Sequence, residues 1–80
     1  MMTPPQRVYL ERTEPSVRLS RFYGLEVAAD LFGEWCLTRR WGRIGSAGRR
    51  QVRSFTSREQ AEKALRQFLV AKQRRGYQPR

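Results

Sequence analysis

The chain contains no histidine and a single cysteine, Cys36. Without histidine, no Ser-His or Cys-His nucleophilic system can be assembled, because the hydroxyl or thiol lacks its base. One thiol, no histidine and no carboxylate pair at motif spacing leave too few ligands for a zinc site. A lone cysteine cannot close an internal disulfide, which matches a reducing compartment. Its simplest role is that of a buried strand thiol. No apolar run approaches the roughly 20 residues that a bilayer-spanning helix requires. The start, Met1-Met2-Thr3-Pro4-Pro5-Gln6, has neither the basic nor the apolar segment of a secretory signal. These absences set the expectations: a cytoplasmic protein that is not an enzyme, with no cofactor, metal, small-molecule substrate or membrane partner.

What is present is one small, basic domain. Eighty residues, 39% of them hydrophobic and with two Trp, four Phe and three Tyr, can build one thin core. The formal net charge is +10 and it is unevenly placed. Residues 1–34 carry −1, whereas residues 35–80 carry +11. A one-sided basic excess points to a polyanion, most often nucleic acid. Fifteen of the seventeen basic residues are Arg. A GC-rich genome accounts for Arg over Lys better than it accounts for the asymmetry.

Along the chain, residues 1–6 read as a flexible N-terminus, residues 7–77 as a single domain and residues 78–80 as a short tail. Residues 7–11 form a first strand, with Val8 and Leu10 on one face and Tyr9 on the other. Pro15 ends it, and residues 16–20 make a connection or an irregular edge. Residues 21–30 alternate cleanly, with Tyr23, Leu25, Val27 and Ala29 on the core face. The segment Asp30-Leu31-Phe32-Gly33 is a turn. The next strand, residues 34–44, has an imperfect pattern: Trp35, Leu37 and Trp41 share a parity with Arg39 and Arg43. Either a bulge between Thr38 and Trp41 switches faces, or the end of this face lies open to solvent and to a ligand. Residues 49–55 return as a hairpin strand.

The helix is the clearest element. Ser57 with Gln60 matches a capping box, and Glu59 lies in the first turn, where the helix dipole favours negative charge. Ala61, Ala64, Leu65, Phe68 and Leu69 form one apolar stripe. Glu59 with Lys63 and Glu62 with Arg66 stand at i,i+4, and Gly76 is placed to end the helix. The fold class is α+β: a small antiparallel sheet with one C-terminal helix packed on one face.

The functional signal lies in Trp41-Gly42-Arg43-Ile44-Gly45-Ser46-Ala47-Gly48. Gly42-Arg43-Ile44-Gly45 is not a phosphate-cradling loop, because no Gly-Lys follows and a strand comes next. Recognition remains. Gly42, Gly45 and Gly48 form the loop, and Arg39, Arg40, Arg43, Arg49, Arg50 and Arg53 cluster around Trp41 within fifteen residues. Guanidinium forks suit phosphate oxygens, and an open indole stacks on a base or sugar. For Trp41 the competing role is core packing; for the arginines it is a solvated strand face.

This motif, with Ser20-Arg21-Phe22-Tyr23 before it, residues 55–61 after it, and the closing Lys72 and Gly76-Tyr77, resembles the WGR domain over about residues 7–77. That module is best known inside poly(ADP-ribose) polymerases and also occurs in bacterial proteins. The resemblance implies a sheet with a C-terminal helix and contact with DNA near strand breaks. It implies Trp41 and Arg43 as the primary contacts and Arg21 as a basic position before the aromatic pair. Ser20 stands where the family often has Asn. ADP-ribosyl transfer is not implied. The expectation is a non-catalytic nucleic-acid-binding module, DNA favoured over RNA, using Trp41, Arg43, Arg39, Arg40, Arg49, Arg50, Arg21 and Lys72. The alternative is a protein–protein adaptor docking through the same loop.

Overall fold

Residues 21–30, the best alternating run in the sequence, become the middle of a five-stranded sheet. A computed structural model describes residues 6–80, with β1 (Gln6–Glu14), β2 (Leu19–Ala29), β3 (Trp35–Arg43), β4 (Arg49–Phe55), α1 (Arg58–Arg74) and β5 (Gln78–Pro79). The strand order is β4-β3-β2-β1-β5 and every neighbouring pair is antiparallel. One helix covers one face, so the class is α+β, as the sequence indicates. No helix among the described residues is long and apolar enough to cross a membrane.

The core lies between α1 and the sheet. Leu10, Tyr23, Leu25, Val27 and Leu37 from the strands meet Ala61 and Leu65 from the helix. Each fully buried aliphatic side chain there contributes about 1.5–3 kcal/mol by leaving water. Ala64, Phe68 and Leu69 complete the helical stripe as half-buried contacts, joined by Trp35, Trp41 and Phe55 from the sheet.

The helix begins as the sequence indicates, with the Ser57 hydroxyl accepting from the Gln60 backbone N–H at 3.2 Å. The reciprocal arm of the capping box is not made; the Gln60 amide oxygen accepts from the Thr56 hydroxyl at 3.1 Å. The expected i,i+4 pairs are replaced by another: Glu62 meets Arg58 at 3.3 Å instead of Arg66. Partly exposed pairs of this kind differ by only about 0.5 kcal/mol, so local rotamers decide between them.

The outer parts of the sheet differ more from expectation. The first hairpin is longer, with β1 running to Glu14 and β2 starting at Leu19, opposite each other in the ladder. Pro15 lacks a donor and stops the ladder, and the chain turns through Pro15–Val17 with Arg18 at φ 53. At the C-terminus, residues 78–80 are a strand and its end, not a tail. Gln78 and Pro79 pair with Glu11 and Leu10, and the Arg80 N–H donates to the Tyr9 carbonyl at 3.1 Å. The reversal comes from a Schellman ending. Gly76 sits at φ 93, its N–H reaches the Gln73 carbonyl at 3.0 Å, and the Tyr77 N–H reaches the Lys72 carbonyl at 3.1 Å. That turn drives Tyr77 into the core and leaves β5 alongside β1. Residues 1–5 of the expected flexible N-terminus lie outside the described residues, and Gln6 already belongs to β1.

Candidate nucleic-acid interface

The register of β3 settles which side chains share a face. Its pairing is unbroken from Trp35 to Arg43 against β2, and from Trp35 to Trp41 against β4. No bulge intervenes between Thr38 and Trp41. Strict alternation then follows: Trp35, Leu37, Arg39, Trp41 and Arg43 face the helix, while Cys36, Thr38, Arg40 and Gly42 face away. On β4, Arg49, Gln51, Arg53 and Phe55 face the helix, and Arg50, Val52 and Ser54 face away. The candidate residues therefore divide. Trp41, Arg39, Arg43, Arg49, Arg21 and Lys72 come together on the helix side, whereas Arg40 and Arg50 lie on the opposite face.

The helix-side group occupies the end of the sheet beyond the helix stripe. Trp41 stands opposite Tyr23 on β2 and Arg49 on β4. It is half-buried, with part of the indole against the core and part open. One step further out, Arg43 stands opposite Arg21, and Arg21 opposite Arg12. Like charges directly across a ladder repel. Arg12 is relieved by Glu14, whose carboxylate accepts at 2.7 Å. Arg21 and Arg43 are exposed, and among the described residues no carboxylate lies within ion-pair reach of either.

Arg39 has a different environment. Its guanidinium lies 4.2 Å from the Phe68 ring centroid and 5.4 Å from that of Trp41. An apolar-face arginine is thus accommodated by stacking between helix and strand, its stem covered and its charge over aromatic faces. Lys72, in the last turn of α1, places Nζ 4.7 Å from the Tyr23 centroid and 5.3 Å from the Tyr77 centroid. Tyr23 and Tyr77 meet edge to face at 6.3 Å. Burial lowers the Lys72 pKa below the ordinary lysine value, and the neighbouring Arg75 and Arg39 lower it further.

The loop joining β3 to β4 folds toward the helix-free face. The Ser46 N–H and hydroxyl both donate to the Arg43 carbonyl, at 3.0 and 2.7 Å. Gly48, at φ 72, lies against the Trp41 carbonyl and the Phe22 ring, where any Cβ would collide with both. Gly42 sits at φ 159, and a Cβ on it would also come within 2.8 Å of the Gly48 Cα. The two glycines are needed because two backbone segments and an aromatic ring meet in one place. Phe22 is consequently buried although it lies on the face without a helix.

Tyr23, Tyr77 and Arg12 belong to the site's surroundings and were not among the candidates. Their signal was weak. Tyr23 reads as core from its parity, Arg12 lies beyond the expected end of the first strand, and Tyr77 enters only through the Schellman turn. Cys36 is half-buried on the helix-free face, its Sγ 3.8 Å from the Asp30 carboxylate and from the Ser54 hydroxyl, not in the core. Among the described residues no cluster of three or more His, Cys, Asp or Glu side chains forms a metal site.

Trp41, Arg43, Arg21 and Arg49 thus form a basic, aromatic surface at one end of a thin α+β domain. Residues 6–80 match the WGR domain, and the chain belongs to that family. It is similar to an uncharacterized protein, y4dW, of Sinorhizobium fredii (strain NBRC 101917 / NGR234), with 41% identity over the whole chain. The chain spans 39% of that relative's length. No solved structure matches it significantly.

Proposed function

We propose that this domain is a non-catalytic module that binds DNA through the helix-side end of its sheet. Trp41 stacks on a sugar or base there, and Arg43, Arg21 and Arg49 hold phosphates, with Lys72 at the margin. One observation carries the reading: Arg21 and Arg43 stand directly opposite each other beside a half-open indole, with no carboxylate among the described residues to offset them. Such a pair costs stability in the free protein and is relieved when phosphates neutralise it. WGR domains are associated with nucleic-acid binding in general, which supports the same reading. Arg39 acts mainly through position, since its guanidinium is stacked beneath Trp41 and Phe68.

Fluorescence anisotropy with blunt-ended and closed duplexes over a salt series tests this. The expected log–log salt slope is about −0.9 per phosphate neutralised, with tighter binding to the end-bearing duplex. The double substitution Trp41→Ala with Arg43→Ala abolishes end preference, and Arg43→Gln alone, which leaves the indole in place, lowers the slope by about 0.9. No binding at low salt, or an unchanged constant in both variants, overturns the proposal. Capture of one protein after nuclease treatment would then favour the adaptor alternative.

A further inference from the structure

The helix-free face carries a groove on the opposite side of the sheet from the Trp41 side chain. Its volume is 570 Å³, and it runs over Gly24 between Arg7 and Glu26 on one side and Thr38, Arg40 and Arg50 on the other. A smaller hollow continues it past Gly24 and Arg40 to Tyr9 and Phe22. Arg40 and Arg50 are directly opposite in the β3–β4 ladder, and among the described residues neither has a carboxylate within ion-pair reach. Arg40 is held in place, its Nη2 donating to the Ala47 carbonyl at 2.9 Å. Glu26, the one acid lining the groove, is engaged by Arg7.

Gly24 is a second, independent sign. Its φ lies outside the left-handed region, and a Cβ built on it would have no neighbour closer than 4.0 Å. Neither conformation nor crowding requires a glycine in mid-strand, where glycine weakens the sheet. What its bare backbone provides is an open floor. At the far end Tyr9 is 43% exposed and stacked on Phe22 at 6.1 Å, with its hydroxyl fixed on the Glu11 carboxylate at 2.8 Å. An orienting hydrogen bond and a supporting ring make Tyr9 a preset stacking platform.

We infer that this groove binds a single nucleic-acid strand, with phosphates on Arg40 and Arg50, the backbone passing over Gly24 and a base on Tyr9. Basic side chains tracking a strand beside an exposed aromatic are the parts from which single-strand surfaces are built. The inference rests on the reading that the protein binds nucleic acid and adds a second surface on the other side of the sheet. A strand end at Trp41 and an unpaired strand in the groove give one module both components of a frayed or nicked junction.

The test uses a labelled oligothymidylate of about 12 nucleotides and a blunt duplex. Arg40→Gln with Arg50→Gln weakens oligothymidylate binding about tenfold and lowers its salt slope by about 1.4, at 0.7 per phosphate. Duplex affinity changes less than about threefold, because the Trp41 surface is intact. Gly24→Val fills the floor and selectively weakens the oligothymidylate. Trp41→Ala with Arg43→Ala has the reverse selectivity. On the unsubstituted protein, adding oligothymidylate shifts the amide resonances of Gly24, Thr38, Arg40 and Arg50. If those resonances stay still and only residues around Trp41 and Arg43 respond, or if the arginine variant weakens both ligands equally, this inference is wrong while the DNA-binding proposal stands. If neither ligand binds at low salt, both fail.

Discussion

Arg39 and Arg40 are neighbours in sequence and have opposite surroundings. Arg39 points to the helix side and is enclosed by Phe68 and Trp41. Arg40 points to the helix-free side and holds the loop through the Ala47 carbonyl. The same contrast runs through the whole sheet. One face is covered by α1 and gathers exposed charge at its end and along the β4 edge; the other has no helix and is sheltered at one corner by the Gly42–Gly48 loop lying on Phe22. Arg39 is thus a covered stem with a stacked charge, and Arg40 is an exposed cation beside a groove, anchored to the loop. A run of arginines is therefore two surfaces, and strand parity separates them.

Breaking the corner of the open face should have the largest effect. Gly48→Val forces a left-handed backbone on a branched residue and drives it into the Trp41 carbonyl and the Phe22 ring. A loss of about 2–4 kcal/mol is expected, read as a lower urea midpoint at constant m. An unchanged midpoint would mean that the loop does not rest on the sheet.

The two arginines sharpen the comparison at a smaller scale. Arg39→Ala removes stacked stem and charge and costs about 1 kcal/mol in the same measurement. Arg40→Ala stays within about 0.5 kcal/mol, because a solvent-side donor is replaced by water. Equal costs would contradict the difference in their surroundings.

The smallest effect is one of pH. Lys72 has a lowered pKa in the free protein, chiefly from burial. A bound phosphate favours its charged form, so the complex retains a proton that the free protein sheds first. Affinity therefore falls as pH rises toward the ordinary lysine value, measured by anisotropy over an alkaline pH series. Fold stability moves the other way over that window, since the unfolded chain then binds more protons at this site than the native one. Lys72→Arg flattens the binding trend, because a guanidinium stays protonated. An unaltered trend in that variant would place Lys72 outside the contact.

Much of this was legible in the sequence, for reasons that can be located. The helix stripe, its Ser57 cap and the alternation of 21–30 are local patterns, and local backbone geometry carries them into the structure. The Trp-Gly-Arg loop was legible as a motif. Its context was less so, since Glu14 and Leu19 are strand residues only because they pair with each other across the Pro15 turn, and Pro79 only because Leu10, far back in the chain, accepts it.

The sequence by itself determined the α+β class, the family, the basic half of the chain and the glycine-bounded loop, because composition, short-range periodicity and motif spacing are sufficient for these. Only the tertiary structure decided that β3 runs without a bulge. That registry places Trp41, Arg43 and Arg21 on one face and Arg40 with Arg50 on the other, and the turn at Gly76 with pairing to β1 makes the last residues a strand. The reason is physical: the side on which a strand residue falls is set by pairing with segments far along the chain, and a one-residue slip would exchange the two surfaces.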